Sequence, residues 1–274
     1  VPLQFPRIQG GDICGYIVQA GEGVDPQCIG NRVIVRSMQN SPKSNNPFAM
    51  QTVGSEIDGG FAQYCVAIAK ESYPINCDWS DIELASIPIS YSTAEGMLCR
   101  ANIQNEKILI TGASGGVGSA IIQLAKVRGA TVIAQCSSEK ASDLQALGAD
   151  QTVNRDDDLV KVLGNNSVDV VLDLVGGSSW PQLLDILKPG GKYVVSGAIA
   201  GPIVDLDLRS LYLKDITMYG STVNDTYVFE NVIKYIEEGQ IKPLVSASFP
   251  LKDIHKAQKV FMDKKFIGKL VLIP

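Results

Sequence analysis

The chain has 274 residues, of which 45% are hydrophobic and 19% charged, as is typical of a packed globular protein. Its formal net charge of −5 disfavours nucleic-acid or membrane-surface binding, because both depend on clustered lysine and arginine. No apolar stretch reaches the roughly 18 residues that a membrane span needs. The six cysteines are scattered without a CxxC pair, which favours reduced thiols in a cytoplasmic protein.

The first ninety residues predict short strands separated by glycine-rich and proline-rich turns. The candidate strands are Cys14–Ala20, Arg32–Arg36 and Phe61–Ile68. Between the second and the third lies Ser37–Ile57, a polar segment rich in Asn, Ser and Pro. This segment predicts a long exposed loop, and loops of that length are uncommon unless they have a function.

From Lys107 onward, strand-like and helix-like patterns alternate. The apolar runs that predict buried parallel strands are Ile108–Thr111, Thr131–Gln135, Val168–Leu174, Tyr193–Ser196 and Ile216–Tyr219. Helical patterns between the early runs are Val117–Arg128 and Ser142–Leu147. The tail predicts a helix at Phe229–Glu238, a strand at Leu244–Phe249, another helix and a last strand at Lys269–Ile273. Such alternation predicts an α/β fold with a doubly wound parallel sheet.

A glycine-rich turn between the first of these strands and its helix is the strongest motif. The turn lies at Gly112–Gly116, and the helix begins near Val117. The residues predicted to bind the cofactor here are Ala113, Ser114, Gly115, Gly116, Val117 and Gly118. Gly115 and Gly116 allow the backbone to approach a pyrophosphate, and Gly118 allows the helix to lie close to the sheet. The free N–H groups at the start of the helix favour phosphate binding. The strand–turn–helix context therefore predicts a dinucleotide site.

The end of the second strand indicates which dinucleotide is bound. NAD sites usually place an acidic residue there, about 20 residues after the turn, to bind the ribose 2′-hydroxyl. Here the strand ends at Cys136 and is followed by Ser137, Ser138 and Lys140, while Arg155 follows the third strand. Hydroxyl groups and a lysine suit a 2′-phosphate through charge-assisted hydrogen bonds, so the predicted cofactor is NADP(H).

Taken together, several segments resemble the medium-chain dehydrogenase/reductase superfamily in its zinc-free, quinone-oxidoreductase-like branch. They are Gly11–Val24, Gly30–Val35, Asp58–Tyr64, Thr111–Gly118, Leu147–Asp150, Val168–Gly177, Leu187–Lys192 and Gly268–Leu272. The resemblance implies a GroES-like, β-rich catalytic domain at residues 1–86, completed by residues 244–274. It also implies a Rossmann dinucleotide-binding domain at residues 87–243.

Two departures from the family pattern bear on function. Zinc-dependent relatives carry Gly-His-Glu where this chain has Gly10-Gly11-Asp12, and their catalytic cysteine matches Ile89. The segment Ser37–Ile57 contains none of the cysteines of a structural zinc site, so no metal is expected. Relatives also have several more strands before Pro6, so we expect a truncated sequence or a reduced fold.

The resemblance places the nicotinamide between Thr93, the turn Leu174-Val175-Gly176, and the segment Ser196-Gly197-Ala198. Weaker candidates for catalysis are Ser90, Tyr91 and Ser92, which lie near the expected domain cleft and carry hydroxyl groups able to polarise a substrate oxygen. The alternative is that these residues cap or pack the helix predicted at Thr93–Cys99.

These observations predict an NADPH-dependent oxidoreductase that reduces a quinone or an activated carbon–carbon double bond without zinc. One alternative is an inactive NADP(H)-binding structural or sensor relative, since the glycine turn indicates binding and not chemistry. Others are a carbonyl reductase like the alcohol dehydrogenases and an enoyl-reducing domain of a larger complex. A short-chain dehydrogenase is excluded because no tyrosine has a lysine four residues later. The family further implies a homodimer, in which the strand Asp215–Ser221 pairs across a two-fold axis.

Overall fold

The computed structural model describes residues 4–41, 45–46 and 49–274. The chain divides into two compact units, called here unit 1 (Val1–Ser92 with Val223–Pro274) and unit 2 (Thr93–Thr222). Residues 87–92 and 223–243, which the sequence assigned to the dinucleotide-binding domain, group with unit 1 in this division. None of the described helices is long and apolar enough to cross a membrane.

Strands and helices follow one another along the chain as short elements. The strands are β1 (Cys14–Tyr16), β2 (Arg32–Val35), β3 (Met38–Asn40), β4 (Met50–Thr52), β5 (Ser72–Pro74), β6 (Lys107–Ile110), β7 (Thr131–Cys136), β8 (Gln151–Asn154), β9 (Val168–Asp173), β10 (Leu187–Val195), β11 (Thr217–Gly220), β12 (Val245–Pro250) and β13 (Lys269–Ile273). The helices are α1 (Asp81–Leu84), α2 (Pro88–Ala101), α3 (Gly116–Val127), α4 (Ala141–Ala146), α5 (Leu159–Leu163), α6 (Trp180–Asp185), α7 (Leu208–Tyr212), α8 (Thr226–Glu237) and α9 (Ile254–Asp263).

The described residues of unit 1 form three small sheets. In one, β2 pairs antiparallel with both β1 and β5; in another, β12 and β13 run parallel. The third corrects the prediction of a simple loop at Ser37–Ile57, since β3 and β4 pair antiparallel with Met38 opposite Thr52. Residues 42–44 and 47–48 of that segment lie outside the described residues.

The strand predicted at Phe61–Ile68 is wrong. The structure assigns no strand to these residues, and Tyr64 and Val66 are 75% and 95% exposed. The third strand of the sheet is instead β5, which hydrogen-bonds to β2. Apolar alternation predicts a strand only where a partner strand supplies the ladder, and periodicity cannot report on the partner.

Unit 2 is built on a six-stranded sheet with the order β11-β10-β9-β6-β7-β8. Every neighbouring pair is parallel, which confirms the predicted doubly wound sheet of a Rossmann-type fold. The chain order reverses between β6 and β9, and ligands of such sheets bind outside the carboxyl ends of the strands at this point. The fold therefore directs attention to the residues that follow β6 and β9.

The core of unit 2 lies on both faces of this sheet. Leu109, Ile133 and Val171 belong to a buried cluster that also contains Leu183 of α6 and Tyr193 of β10. Their neighbours along the same strands are buried as well and point to the opposite face, because side chains alternate along a strand. Burial on both faces explains why these strands have continuous apolar sequences.

Candidate cofactor site

The glycine turn after β6 forms a tight connection to α3. Gly112 adopts a φ of +61°, and its carbonyl accepts a hydrogen bond from the Gly115 N–H at 3.1 Å. A Cβ at Gly118 would lie 2.5 Å from the Gly112 oxygen, so a side chain there has no room. Gly115 precedes the helix without a side-chain cap, and the first N–H groups of α3 have no partner within the helix. The turn thus has the geometry of a phosphate cradle.

The carboxyl ends of β7 and β8 bring together the residues predicted to bind a 2′-phosphate. The Cys136 carbonyl accepts a hydrogen bond from the Arg155 N–H at 2.9 Å. The Asn154 amide, one residue earlier, donates to the Ser138 hydroxyl at 2.6 Å. Burial raises the pKa of Cys136, and the nearby positive charge of Lys140 opposes that effect. Lys140 and Arg155 therefore both lie next to the strand ends.

No acidic side chain ends β7, and the nearest acids in sequence, Glu139, Asp156 and Asp157, belong to the segments that follow β7 and β8. Cys136 is buried and occupies the position where an NAD site usually has an acid. Glu139 is exposed, and Ser137 is half-buried beside it. Arg155 is an exposed side chain whose Nε lies 3.7 Å from an Asp156 oxygen.

The two segments predicted to hold the nicotinamide approach each other through their backbones. A Cβ at Gly197 would lie 2.7 Å from the Leu174 oxygen, so only glycine fits there. The Ser196 hydroxyl donates to the Ser221 carbonyl at 2.6 Å. Beyond them, Gly176 forms an isolated bridge with Gly201. Ala198 follows Gly197 in the same loop, so the structure brings Leu174–Gly176 and Ser196–Ala198 together.

One functional candidate that the sequence reasoning missed is Asp173, the last residue of β9. It is fully buried, and its carboxyl oxygens accept hydrogen bonds from the hydroxyl groups of Thr111 at 2.5 Å and Tyr193 at 2.6 Å. Burial, followed by the charge of Asp173, raises the pKa of Tyr193. The available signal was an acidic residue directly after the buried apolar run Val170–Leu172, since buried charges are retained only with partners.

The hydroxyl groups predicted to act on substrate lie at the start of α2 and are buried. The Tyr91 hydroxyl donates to the Lys242 carbonyl at 2.9 Å. The Ser92 hydroxyl donates to the carbonyls of Pro88 and Ile89 within its own helix. Ser90 is buried as well, and Thr93 follows as a half-buried residue of the same helix. Their roles stay predictions, and two of the hydroxyl groups already have backbone acceptors.

The two positions that match zinc ligands in the family lie side by side in unit 1. A Cβ at Gly11 would stand 2.6 Å from Cδ1 of Ile89, so the isoleucine side chain fills the space in front of the glycine. Asp12 accepts hydrogen bonds from the Ile89 N–H and the Lys269 ammonium, both at 2.6 Å. Within the described residues, no three His, Cys, Asp or Glu side chains form a metal-binding group.

Comparison with known proteins agrees with this arrangement. Residues 2–76 match the family model of the alcohol dehydrogenase GroES-like domain, and residues 116–238 match the zinc-binding dehydrogenase model. The second name refers to zinc, yet residues 116–238 contain no histidine and one cysteine. The first match lies within unit 1, and the second covers most of unit 2 and continues through α8 of unit 1.

Relatives match over nearly the whole chain. The acryloyl-coenzyme A reductase of Metallosphaera sedula is 29% identical over 98% of this chain and 84% of its own length. The quinone oxidoreductase of Rattus norvegicus is 26% identical over 98% of this chain and 80% of its own. A crystal structure from Sinorhizobium meliloti 1021, provisionally named an alcohol dehydrogenase, is 44% identical with a TM-score of 0.94, covering 99% of this chain and 77% of that one.

The fold and the glycine turn define a dinucleotide-binding protein of the Rossmann type, and the names of its relatives support an oxidoreductase. With these matches, the chain belongs to the medium-chain dehydrogenase/reductase superfamily, as its sequence motifs predicted.

Proposed function

We propose that the chain is an NADPH-dependent reductase of an activated carbon–carbon double bond or a quinone, and that it works without zinc. The observation that carries the cofactor choice is the end of β7, where Cys136 takes the position of the usual acidic residue. Ser138 and Lys140 follow it, and the backbone of Arg155 binds its carbonyl. The names of two relatives support the substrate class, since one reduces acryloyl-coenzyme A and the other a quinone.

The residues of unit 2 fit a dinucleotide in a defined order. The N–H groups at the start of α3 bind the pyrophosphate, and Ser137, Ser138 and Lys140 bind the 2′-phosphate. Leu174–Gly176 and Ser196–Ala198 orient the ring, with Thr93 as the third contact. When bound, the nicotinamide supplies the hydride that the substrate accepts.

The absence of zinc in this proposal rests on unit 1. Gly11 has no ligand atom, and Ile89 offers only an apolar side chain that packs against it. The Asp12 carboxylate is already bound by Lys269 and by the Ile89 N–H. Polarisation of the substrate oxygen therefore falls to hydrogen-bond donors of the chain, with Ser90, Tyr91 and Ser92 as candidates. An enzyme that keeps full activity after dialysis against a chelator supports this proposal, and loss that zinc restores contradicts it.

Cofactor preference is tested by titrating the protein with NADPH and NADH while following nucleotide fluorescence. We expect tighter NADPH binding in the wild type. We expect Lys140→Ala to lose about ten- to a hundredfold in NADPH affinity, because one charge-assisted hydrogen bond is worth roughly 1.5–3 kcal/mol. Lys161→Ala is the control, since Lys161 is an exposed residue of the same unit that pairs with Asp158. Equal or tighter NADH binding by the wild type contradicts the 2′-phosphate assignment.

Substrate class is tested by NADPH consumption with an enoyl thioester, a simple enone, a quinone and an aldehyde. Turnover of the enoyl thioester or the quinone supports the proposal and identifies the preferred branch. Turnover of the aldehyde alone favours the carbonyl reductase alternative, and nucleotide binding without turnover of any favours a sensor. If one of Ser90, Tyr91 and Ser92 donates the proton, removal of its hydroxyl group should lower kcat by about 10²–10⁴ without changing NADPH affinity.

The proposal includes a homodimer in a reducing compartment such as the cytoplasm. The strand β11 is an edge of the six-stranded sheet, and the segment before it exposes Ile199, Ile203 and Leu213. Exposed edges and apolar patches are sites of association. All six cysteines are free thiols, as expected where thiols stay reduced. Light scattering checks the dimer: we expect Leu213→Glu to yield monomers, and a monomeric wild type contradicts it.

A further inference from the structure

The buried carboxyl group of Asp173 is bound on both oxygens by groups that belong to the predicted cofactor loops. Oδ1 accepts from the Thr111 hydroxyl at 2.5 Å, the Val175 N–H at 2.9 Å and the Gly176 N–H at 3.2 Å. Oδ2 accepts from the Tyr193 hydroxyl at 2.6 Å and is 3.3 Å from the same Gly176 nitrogen. Four donors thus converge on one side chain, which matches the acceptor capacity of a carboxylate.

These bonds link three chain segments that follow different strands. Thr111 lies directly before the glycine turn, and its hydroxyl oxygen also accepts the Leu174 N–H at 2.9 Å. The Asp173 carbonyl accepts the Ser196 N–H at 3.1 Å. Asp173 is therefore bonded, directly or through Thr111, to the turn after β6 and to the loops after β9 and β10.

The aromatic pair Trp180 and Tyr193 positions one of the hydrogen-bond donors to the Asp173 carboxyl group. The indole N–H of Trp180 donates to the Tyr193 hydroxyl at 2.7 Å. The two rings pack edge to face, with centroids 5.5 Å apart and an interplanar angle of 83°. Both side chains are buried in the core of unit 2, so the Tyr193 hydroxyl has a fixed position from which it donates to Asp173.

We infer that Asp173 is a positioning residue, which holds the glycine turn and the two nicotinamide loops in the arrangement that binds the cofactor. This inference rests on the proposed function, because it needs these loops to bind NADP(H). Asp173 itself does not contact the nucleotide. Its carboxyl group accepts hydrogen bonds from the N–H groups of Val175 and Gly176, and these bonds hold the backbone of the turn that follows β9.

An isosteric change isolates the role of the carboxyl group. Asparagine has one oxygen and one NH2 group, so Asp173→Asn presents a donor to the Tyr193 hydroxyl or to the two N–H groups. The matched control is Asp169→Asn on the same strand, because Asp169 binds Lys188 and the Lys107 N–H at the opposite end of β9. Each variant loses one carboxylate of β9, and only the Asp173 carboxylate binds the predicted cofactor loops.

The experiment measures the Kd of NADPH by nucleotide fluorescence, well below the melting temperature of each variant. We expect Asp173→Asn to weaken binding by about tenfold or more and Asp169→Asn by less than about twofold. In steady-state kinetics, we expect the KM for NADPH to rise more than kcat falls. Equal Kd values for the two variants would overturn the inference, whatever the change in melting temperature.

A milder variant keeps the test decisive if Asp173→Asn does not fold. Tyr193→Phe removes one of the donors to Oδ2 and retains the aromatic packing on Trp180. We expect it to weaken NADPH binding by about threefold to tenfold. A wild type that binds neither nucleotide overturns the proposed function and this inference together. A wild type that binds NADPH while Tyr193→Phe binds equally well overturns the inference alone.

Discussion

A buried ion pair of unit 1 and a buried carboxyl group of unit 2 are stabilised by different kinds of partner. In unit 1, Arg36 and Glu71 form a buried pair with distances of 2.6 and 3.1 Å, and Arg36 also donates to the Asn224 carbonyl. Around this pair, the side-chain oxygens of Gln39 and Asn224 are buried without a hydrogen-bond partner among the described residues. In unit 2, both oxygens of Asp173 are fully bonded, mostly to backbone groups and neighbouring hydroxyls.

The difference reflects the sheets that each unit contains. Unit 2 has a continuous six-stranded sheet with apolar side chains on both faces, so its stability comes from hydrophobic burial. Of its two fully buried acids, Glu95 pairs with Arg128, and Asp173 binds backbone and hydroxyl groups beside the ends of the strands. Unit 1 has three small sheets among its described residues. The Arg36–Glu71 pair lies beside the β2–β5 ladder, and the Asp12–Lys269 pair links the segment before β1 to β13. Buried ion pairs join chain segments in both units, and Asp173 of unit 2 differs in that its carboxyl group binds backbone and hydroxyl groups instead of a cation.

The largest effect is expected from breaking the buried pair of unit 1. Glu71→Gln leaves the guanidinium of Arg36 buried without a counter-charge, and this change should cost about 3–5 kcal/mol in the free energy of unfolding. Urea denaturation measures the loss. The double variant Arg36→Met with Glu71→Leu should lose less stability than the summed losses of Arg36→Met and Glu71→Leu measured singly, because it removes both charges. A sum that is simply additive contradicts a direct interaction.

A comparable loss is expected from the apolar core of unit 2. Leu109 is fully buried in the middle of the sheet, and Leu109→Ala should cost about 2–5 kcal/mol through lost burial and the cavity that remains. Leu208→Ala is the control, since Leu208 is exposed at the start of α7 and should change stability by less than about 0.5 kcal/mol. Similar effects of the two changes would contradict the description of the core.

A smaller effect is expected at the half-buried pair of Asp12 and Lys269. Lys269→Met removes one of the two partners of Asp12 and should cost about 1–2 kcal/mol. Lys161→Met breaks an exposed pair with Asp158 and should cost less than about 0.5 kcal/mol. Equal costs would show that exposure does not distinguish the two pairs.

The smallest effect is a pH dependence at Asp169. Burial pushes the pKa of Asp169 upward, but hydrogen bonds from Lys188 and from the Lys107 N–H outweigh it and lower the pKa. A lowered folded-state pKa stabilises the protein above the unfolded value of about 3.9, and the stabilisation is lost as the pH falls through the folded value. The wild type should exceed Asp169→Asn by less than about 1 kcal/mol at neutral pH, because the pair is partly exposed. A stability advantage of the wild type that persists at a pH below the folded-state pKa of Asp169 contradicts this assignment.

The apolar runs of unit 2 predicted its parallel sheet because strands that are buried on both faces have continuous apolar sequences. The glycine turn was predictable for a similar reason, since Gly118 meets the Gly112 backbone and tolerates no side chain. The strands β3, β4 and β5 of unit 1 have three residues each, too few for periodicity to locate. The network of Asp173 joins residues 62 and 20 positions apart, and single-sequence patterns carry no information on such contacts.

Unit 1 consists of the first 92 residues and the last 52, and the 130 residues of unit 2 are inserted between them. The Asp12–Lys269 bond joins its two parts across 257 positions of sequence. Synthesis on the ribosome runs from the amino end, and domains generally fold as units while the chain emerges. Unit 2 is therefore complete and able to fold while unit 1 still lacks β12 and β13. Unit 1 cannot form the Asp12–Lys269 bond until the segment that contains β13 has been synthesised.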